Sequence, residues 1–154
     1  MLPKVIFWQQ QQMMDCGPIA VLNLLRWLGY SVSLRHYKQI CDECGYTQRA
    51  GTKHYKISQM LKSVAGLKVT RPRRMIVKRF KNFLNGRKTA ILLSFRKSYR
   101  GKGHICLVIK KYDTIKIINM CNEAMIVVPS DIEIDKLLRS HGKGFPAIWF
   151  LEKV

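Results

Sequence analysis

Cys16 opens the segment CGPIAVLNLLRWLG (16–29), in which apolar residues occupy nearly every side of one helix. A thiol in the first turn of a helix feels the positive end of the backbone dipole, which favours thiolate. Such placement takes a thiol pKa from ~8.5 into the range ~3.5–7.5, and thiolate is the nucleophilic form. The position therefore predicts a reactive cysteine with a lowered pKa. A nucleophilic cysteine also needs an imidazole to take and return its proton, and a third group to orient that imidazole.

Four histidines are available. His36 and His54 fall on or near polar helix faces and His141 in a glycine-bearing loop, so these three are expected to be idle surface groups. His104 differs: it follows SYRGKG (98–103) and opens the apolar run HICLVIKKY (104–112), which places it at a sheet edge near a cleft. Asn119 ends the next run, IKIIN (115–119). Side chains alternate along strands, so a two-residue turn between these runs leaves His104 and Asn119 on one face. A turn at Asp113-Thr114 offsets them along the strands, and one nearer Lys111, or a bulge, brings them together.

The elements that must position these groups are legible in the pattern. Asp15 is a candidate cap and Pro18 suits the first turn of the helix from Cys16, which Gly29 ends with a left-handed residue. Ser33 is the candidate cap of a second helix (34–44) closed by Gly45, and Thr52 of a third (53–65) stopped at Gly66. A strand (67–70) and a basic amphipathic helix (76–85) follow, the latter with Ile76, Phe80, Phe83 and Leu84 expected to face inward. Beyond Gly86 the pattern is strand-like at 89–95, 104–112, 115–119 and 125–128, rich in β-branched and aromatic residues. Ser130 and Glu133 form a capping box for a late helix, and PAIWFLEKV (146–154) is a last strand. Helices first and an antiparallel sheet after them is an α+β arrangement, expected as one domain over 1–154.

Charge is the unusual property. The 154 residues carry 28 lysines and arginines against 9 acidic residues, a net charge of +19. No acidic residue lies between Glu43 and Asp113. The densest stretch is RPRRMIVKRFKNFLNGRK (71–88), and FRKSYRGKG (95–103) leads directly into His104. Such a face implies an acidic protein, a nucleic acid or a lipid surface as partner, against the plainer alternative of a solvated face. Arg71, Arg73, Arg74, Lys78, Arg79, Arg100 and Lys102 are the candidate anion-binding residues. Phe80 and Phe83 lie among them at helical spacing, which favours the core over stacking on bases. No run reaches the ~18 apolar residues of a membrane helix, and MLPKVIFW is too short for a secretory signal. The expectation is a cytoplasmic, alternatively virion-associated, protein whose five cysteines are thiols. One C-x-x-C pair, Cys41 and Cys44, reads as helical thiols rather than half of a zinc site, so neither metal nor cofactor is expected.

Taken together, Q-x5-C-G-P from Gln10 to Pro18, the apolar helix ending in Leu28-Gly29, Gly51-Thr52 before the next helix, and Gly103-His104 at a strand start resemble the C39-like cysteine peptidases. The resemblance implies a papain-like fold, an N-terminal helical half packed on a C-terminal antiparallel sheet. It implies Cys16 as nucleophile, His104 as general base, Asn119 as the orienting group and the Gln10 side chain in the oxyanion hole, acting on a peptide or protein substrate. The best-known relatives cleave leader peptides and are fused to ABC exporters, whereas this sequence carries no transporter. Asn119-Met120 stands where the family usually has aspartate and proline, although asparagine does this work in papain itself. Two other readings stay open: an inactive papain-like binding module, and a basic nucleic-acid-binding or virion-associated protein built on the same scaffold.

Overall fold

The structure is a computed structural model and describes residues 7–8, 15–47, 51–96, 103–118, 126–139 and 145–154. Helix α1, Cys16–Trp27, carries the long apolar run. Gly29 follows it at φ 90°, a left-handed residue that costs glycine nothing. A 3-10 turn, Leu34–His36, leads into α2, Tyr37–Glu43, and α3 spans His54–Ser63. Strand β1 is Leu67–Thr70 and α4 is Val77–Phe83. Then come β2 (Thr89–Phe95), β3 (His104–Lys111), β4 (Thr114–Ile118) and β5 (Ile126–Val127). Helix α5, Asp131–Leu138, and β6, Ala147–Lys153, close the order. Ser130 and Glu133 form the expected capping box.

The strands make one sheet in the order β1-β6-β2-β3-β4-β5, antiparallel at every pairing. The protein is thus α+β, but the helices do not all lie on one side. Strand alternation sends Leu92, Ile105, Leu107, Ile109, Trp149 and Leu151 into a core with α1, α2 and α3. It sends Ile91, Leu93, Cys106, Val108, Ile148 and Phe150 to the other face, against Phe80 and Leu84 around α4 and Ile134 and Leu138 of α5. Covering both faces is why β2 is buried at each of its positions and shows no polar alternation.

Four sequence expectations are corrected here. Ile76 does not face inward; it precedes the first residue of α4 and is 66% exposed, while Phe80 and Leu84 fill the core and Phe83 stacks on Phe150 at 4.0 Å. Asp15 precedes α1 without capping it through its side chain, and Lys53 rather than Thr52 holds the N-cap position of α3. The β3–β4 turn is Tyr112-Asp113, not Asp113-Thr114: both residues have positive φ (51° and 61°) and Lys111 pairs with Thr114. A pair of left-handed residues is the tight hairpin turn whose twist matches the strands. The turn lies one residue nearer Lys111.

Among the described residues, no helix is long and apolar enough to cross a membrane.

Candidate active site at the N-terminus of α1

The sheet and α1 share two ends. At one lie the start of α1, the end of β2 and the starts of β3 and β6; at the other lie the end of α1, the start of β2 and the ends of β3 and β6. Cys16 is at the first end.

Helix α1 packs on β3, so the Cys16 thiol comes to rest beside the backbone of Ile105, the residue after His104. Backbone hydrogen bonds from Ile105, Gly17 and Cys16 itself all favour the thiolate. The two helical amides are available because the first N–H groups of a helix have no partner within it, and Pro18 brings none. Burial opposes them. Cys16 is 9% exposed, and desolvation of the charged form, with a smaller push from the Asp15 carboxylate, raises the thiol above its ordinary value. The lowered pKa expected from helix position is therefore overturned: the helix terminus helps the thiolate, and burial outweighs it.

Asp15 is fully buried beside the thiol and accepts a hydrogen bond from the Tyr37 hydroxyl at 2.7 Å. This bond, rather than a helix cap, is its side chain's role, and it ties the start of α1 to α2.

Gly17 explains the CGP spacing. A Cβ there would lie 2.9 Å from Thr52 Cβ, so only glycine lets the 51–52 segment close on the first turn of α1. The C-G-P and G-T signatures, far apart in sequence, are thus in contact. The fit leaves the Thr52 hydroxyl buried with no hydrogen-bond partner.

His104 opens β3 as expected and is half-buried. Its ring meets Phe95, its cross-strand neighbour, edge to face at 5.7 Å between centroids. Phe95 belongs to the core under α4 and α5, whereas Ile105 belongs to the core under α1. Cys16 and His104 therefore flank the first residues of β3, with the Ile105 backbone between them. Gly103 precedes His104 for a steric reason: a Cβ there would come 2.6 Å from Phe145 Cζ.

His54 is not the idle surface group that its helical position suggested. Its Nε2 lies 2.8 Å from Ser94 Oγ, and its ring packs edge-on against Phe145 and Trp149. Burial, with the nearby Arg71 cation, holds its pKa below the ordinary histidine value. Arg96 lies over the opposite partner of this stack, 4.5 Å from the Phe145 ring. His54, Phe145 and Arg96 form a wall beside Gly103-His104. The signal that could have flagged His54 is its place two residues after Gly51-Thr52, a segment the glycine contact pins to Cys16. His36 also has local work, accepting the Ser33 N–H at Nδ1.

Gln10, Asn119, His141, Arg100 and Lys102 lie outside the described residues. Of the basic candidates, Arg73, Arg74 and Lys78 are exposed around the start of α4, and Arg79 donates to the Arg74 carbonyl at 3.2 Å. Arg71 is exposed as well, but part of its guanidinium is engaged within the fold. Its Nε donates to the Ile148 carbonyl (2.9 Å), its Nη1 to Ser58 Oγ (3.0 Å), and its guanidinium lies 4.4 Å over the Trp149 ring. It clamps β6 to α3 through two of its donors while the residue stays exposed.

Cys41 and Cys44 are buried free thiols of the α2 region, and Cys44 Sγ points at Met60 Sδ (3.7 Å). Burial pushes the Cys44 thiol up to about 12, so it rests in the core as a neutral thiol. Among the described residues, no three His, Cys, Asp or Glu side chains gather as a metal site.

Comparison with models of known protein families gave no match, and comparison with curated proteins gave none either.

Proposed function

We propose that the chain is a papain-like, C39-like cysteine peptidase. The observation that carries the proposal is the seating of Cys16, at the N-terminus of a buried helix, against the backbone of the residue that follows His104. The contact between Gly17 and Thr52 supports it, because it joins two of the separate motifs on which the family resemblance rests.

In this reading, Cys16 Sγ bonds to the scissile carbonyl carbon while its proton passes to the His104 imidazole, the role the family resemblance gives it; the ring rests on Phe95, across the Ile105 backbone from Cys16, and must turn around the start of β3 to take the proton. The carbonyl oxygen becomes an oxyanion held by the Cys16 backbone N–H and the Gln10 side chain, a donor set whose members are each worth ~10²–10³ in rate. His104 gives the proton to the leaving amine as the C–N bond breaks, and water, activated by the same imidazole, then hydrolyses the thioester. Asn119 orients the imidazole. With the thiol raised by burial, His104 works as a general base during attack rather than as the imidazolium of a resting ion pair. The wall of His54, Phe145 and Arg96 receives the substrate, and the exposed cations steer acidic chains towards it.

Hydrolysis of a quenched-fluorescence peptide library by wild type, Cys16→Ala and His104→Ala tests this. Cleavage by wild type alone supports the peptidase. No cleavage, together with retained binding of an acidic peptide or nucleic acid, supports the second reading, an inactive binding module, which the raised Cys16 thiol favours.

A further inference from the structure

The opposite end of α1 holds a second site. A cavity of about 620 Å³ opens there, lined by Arg26 and Trp27 from the last turn of α1, Lys88 before β2, and Lys110, Lys111 and Tyr112 at the end of β3. Its volume falls within the ~300–1,000 Å³ typical of small-molecule pockets. No carboxylate is among its lining residues. The C-terminal end of a helix by itself repels anions, so the cations at this end do more than cancel a dipole.

Three features separate this cavity from an ordinary basic surface. Lys110 is held in place by donating its ammonium to Asn85 Oδ1. Tyr112 is 79% exposed, an unusual setting for a large ring at the rim of a cavity. Lys88 and Tyr112 are also two of the described non-glycine residues with positive φ (50° and 51°). Such backbone is strained for a residue with a Cβ, and glycine would avoid it. The chain keeps a lysine and a tyrosine there instead.

We propose that this cavity binds a nucleoside phosphate, free or at the end of a strand. Lys88, Lys110, Lys111 and Arg26 hold the phosphates, Arg26 leaving its place over the Trp8 ring and Lys111 its place over Tyr112, and the base stacks on Trp27 or on the Tyr112 face so freed. Four cations lining one cavity suit a multiply charged anion, and two aromatic rings among the same lining residues suit a planar partner. Inorganic anions satisfy only the first requirement. Helix α1 has 12 residues, so at ~1.5 Å per residue the cavity lies about 18 Å from Cys16 and is independent of the thiol chemistry.

Calorimetric titration of the full chain with ADP, with inorganic diphosphate and with a short 5′-phosphorylated oligothymidylate tests the assignment. Two variants accompany it: Lys88→Glu/Lys111→Glu, and Tyr112→Gly, which relieves the backbone and so keeps the fold. ADP is expected to bind at least ~10-fold more tightly than diphosphate, the affinity of a stacked ring being worth ~1–3 kcal/mol. Tyr112→Gly should erase that preference, and the double variant should weaken both ligands at least ~10-fold at unchanged melting temperature. Competition between ADP and the oligothymidylate identifies a strand end as the source; its absence identifies the free nucleotide. Equal affinity for ADP and diphosphate, full ADP affinity in either variant, or no ADP binding at millimolar concentration overturns the proposal.

Discussion

The resting state of Cys16 can be read directly. Burial raises its thiol above the ordinary cysteine value in spite of three backbone hydrogen bonds that favour thiolate. An ordinary thiol, at ~8.5, is only about 3% ionised at pH 7, and Cys16 is ionised less than that. The alkylation rate at pH 7 should therefore be a few hundredths of its alkaline plateau or lower, still rising steeply above pH 8. The assay is iodoacetamide labelling from pH 5 to 10, quantified at the Cys16 peptide by mass spectrometry. Cys44 and Cys106, with no exposed surface, serve as internal controls that label only on unfolding. His104→Ala should leave this profile unchanged while abolishing peptide cleavage, because a general base acts during turnover and does not ionise the resting thiol. A plateau already reached near pH 7 and lost in His104→Ala would refute the reasoning, since it requires a resting thiolate–imidazolium pair stronger than the burial.

Other perturbations test separate links. Thr52→Val removes a buried hydroxyl that has no partner and keeps the shape, so it should stabilise the fold by about 1 kcal/mol, a rise of roughly 2–4 °C in melting temperature by calorimetry. Arg71→Met removes two hydrogen bonds and the contact over Trp149, and should destabilise by about 1–3 kcal/mol in urea unfolding. It should cost less affinity for heparin than Arg74→Met, because two of the Arg71 donors are already spent on Ile148 and Ser58. His54 binds its proton less readily folded than unfolded, so its neutral form supports the fold above about pH 6.5 and that support is lost as pH falls below it. Melting temperature should drop from pH 7 to 5, and His54→Gln should flatten that part of the curve; an unchanged slope would count against the buried imidazole.

Element positions were largely legible in the sequence because apolar period and turn residues agree along most of the chain. The capping box at Ser130 and the stop at Gly29 are local chemistry and needed no tertiary context. The side of the sheet on which α4 and α5 pack was not legible, since a strand buried on both faces, such as TAILLSF, reads the same whichever helices cover it. The β3–β4 turn was misplaced because Tyr112-Asp113 lacks the glycine that usually marks a left-handed pair. At the site, Cys16 and His104 were visible as residue types at element starts. The Cys16 pKa was not, because helix position is a local property and desolvation a global one. Arg71 and His54 show the same limit: a charged or titratable side chain on a polar helix face or in a basic run gives no sign of the partner waiting across the fold.

Asn23 is the one polar residue buried within α1, and both ends of its amide are engaged: Oδ1 accepts the Trp8 N–H at 2.9 Å and Nδ2 donates to the Trp8 carbonyl at 3.1 Å. A side chain here does what a neighbouring strand does in a sheet, and α1 carries a one-residue splice for the chain that precedes it. Trimming this protein from the front is consequently not a neutral operation. A cut ahead of Phe7 leaves the splice intact, whereas a cut past Trp8 strands a fully buried amide. A shortened chain that folds poorly and cleaves nothing would then report the loss of this splice and say little about Gln10 itself.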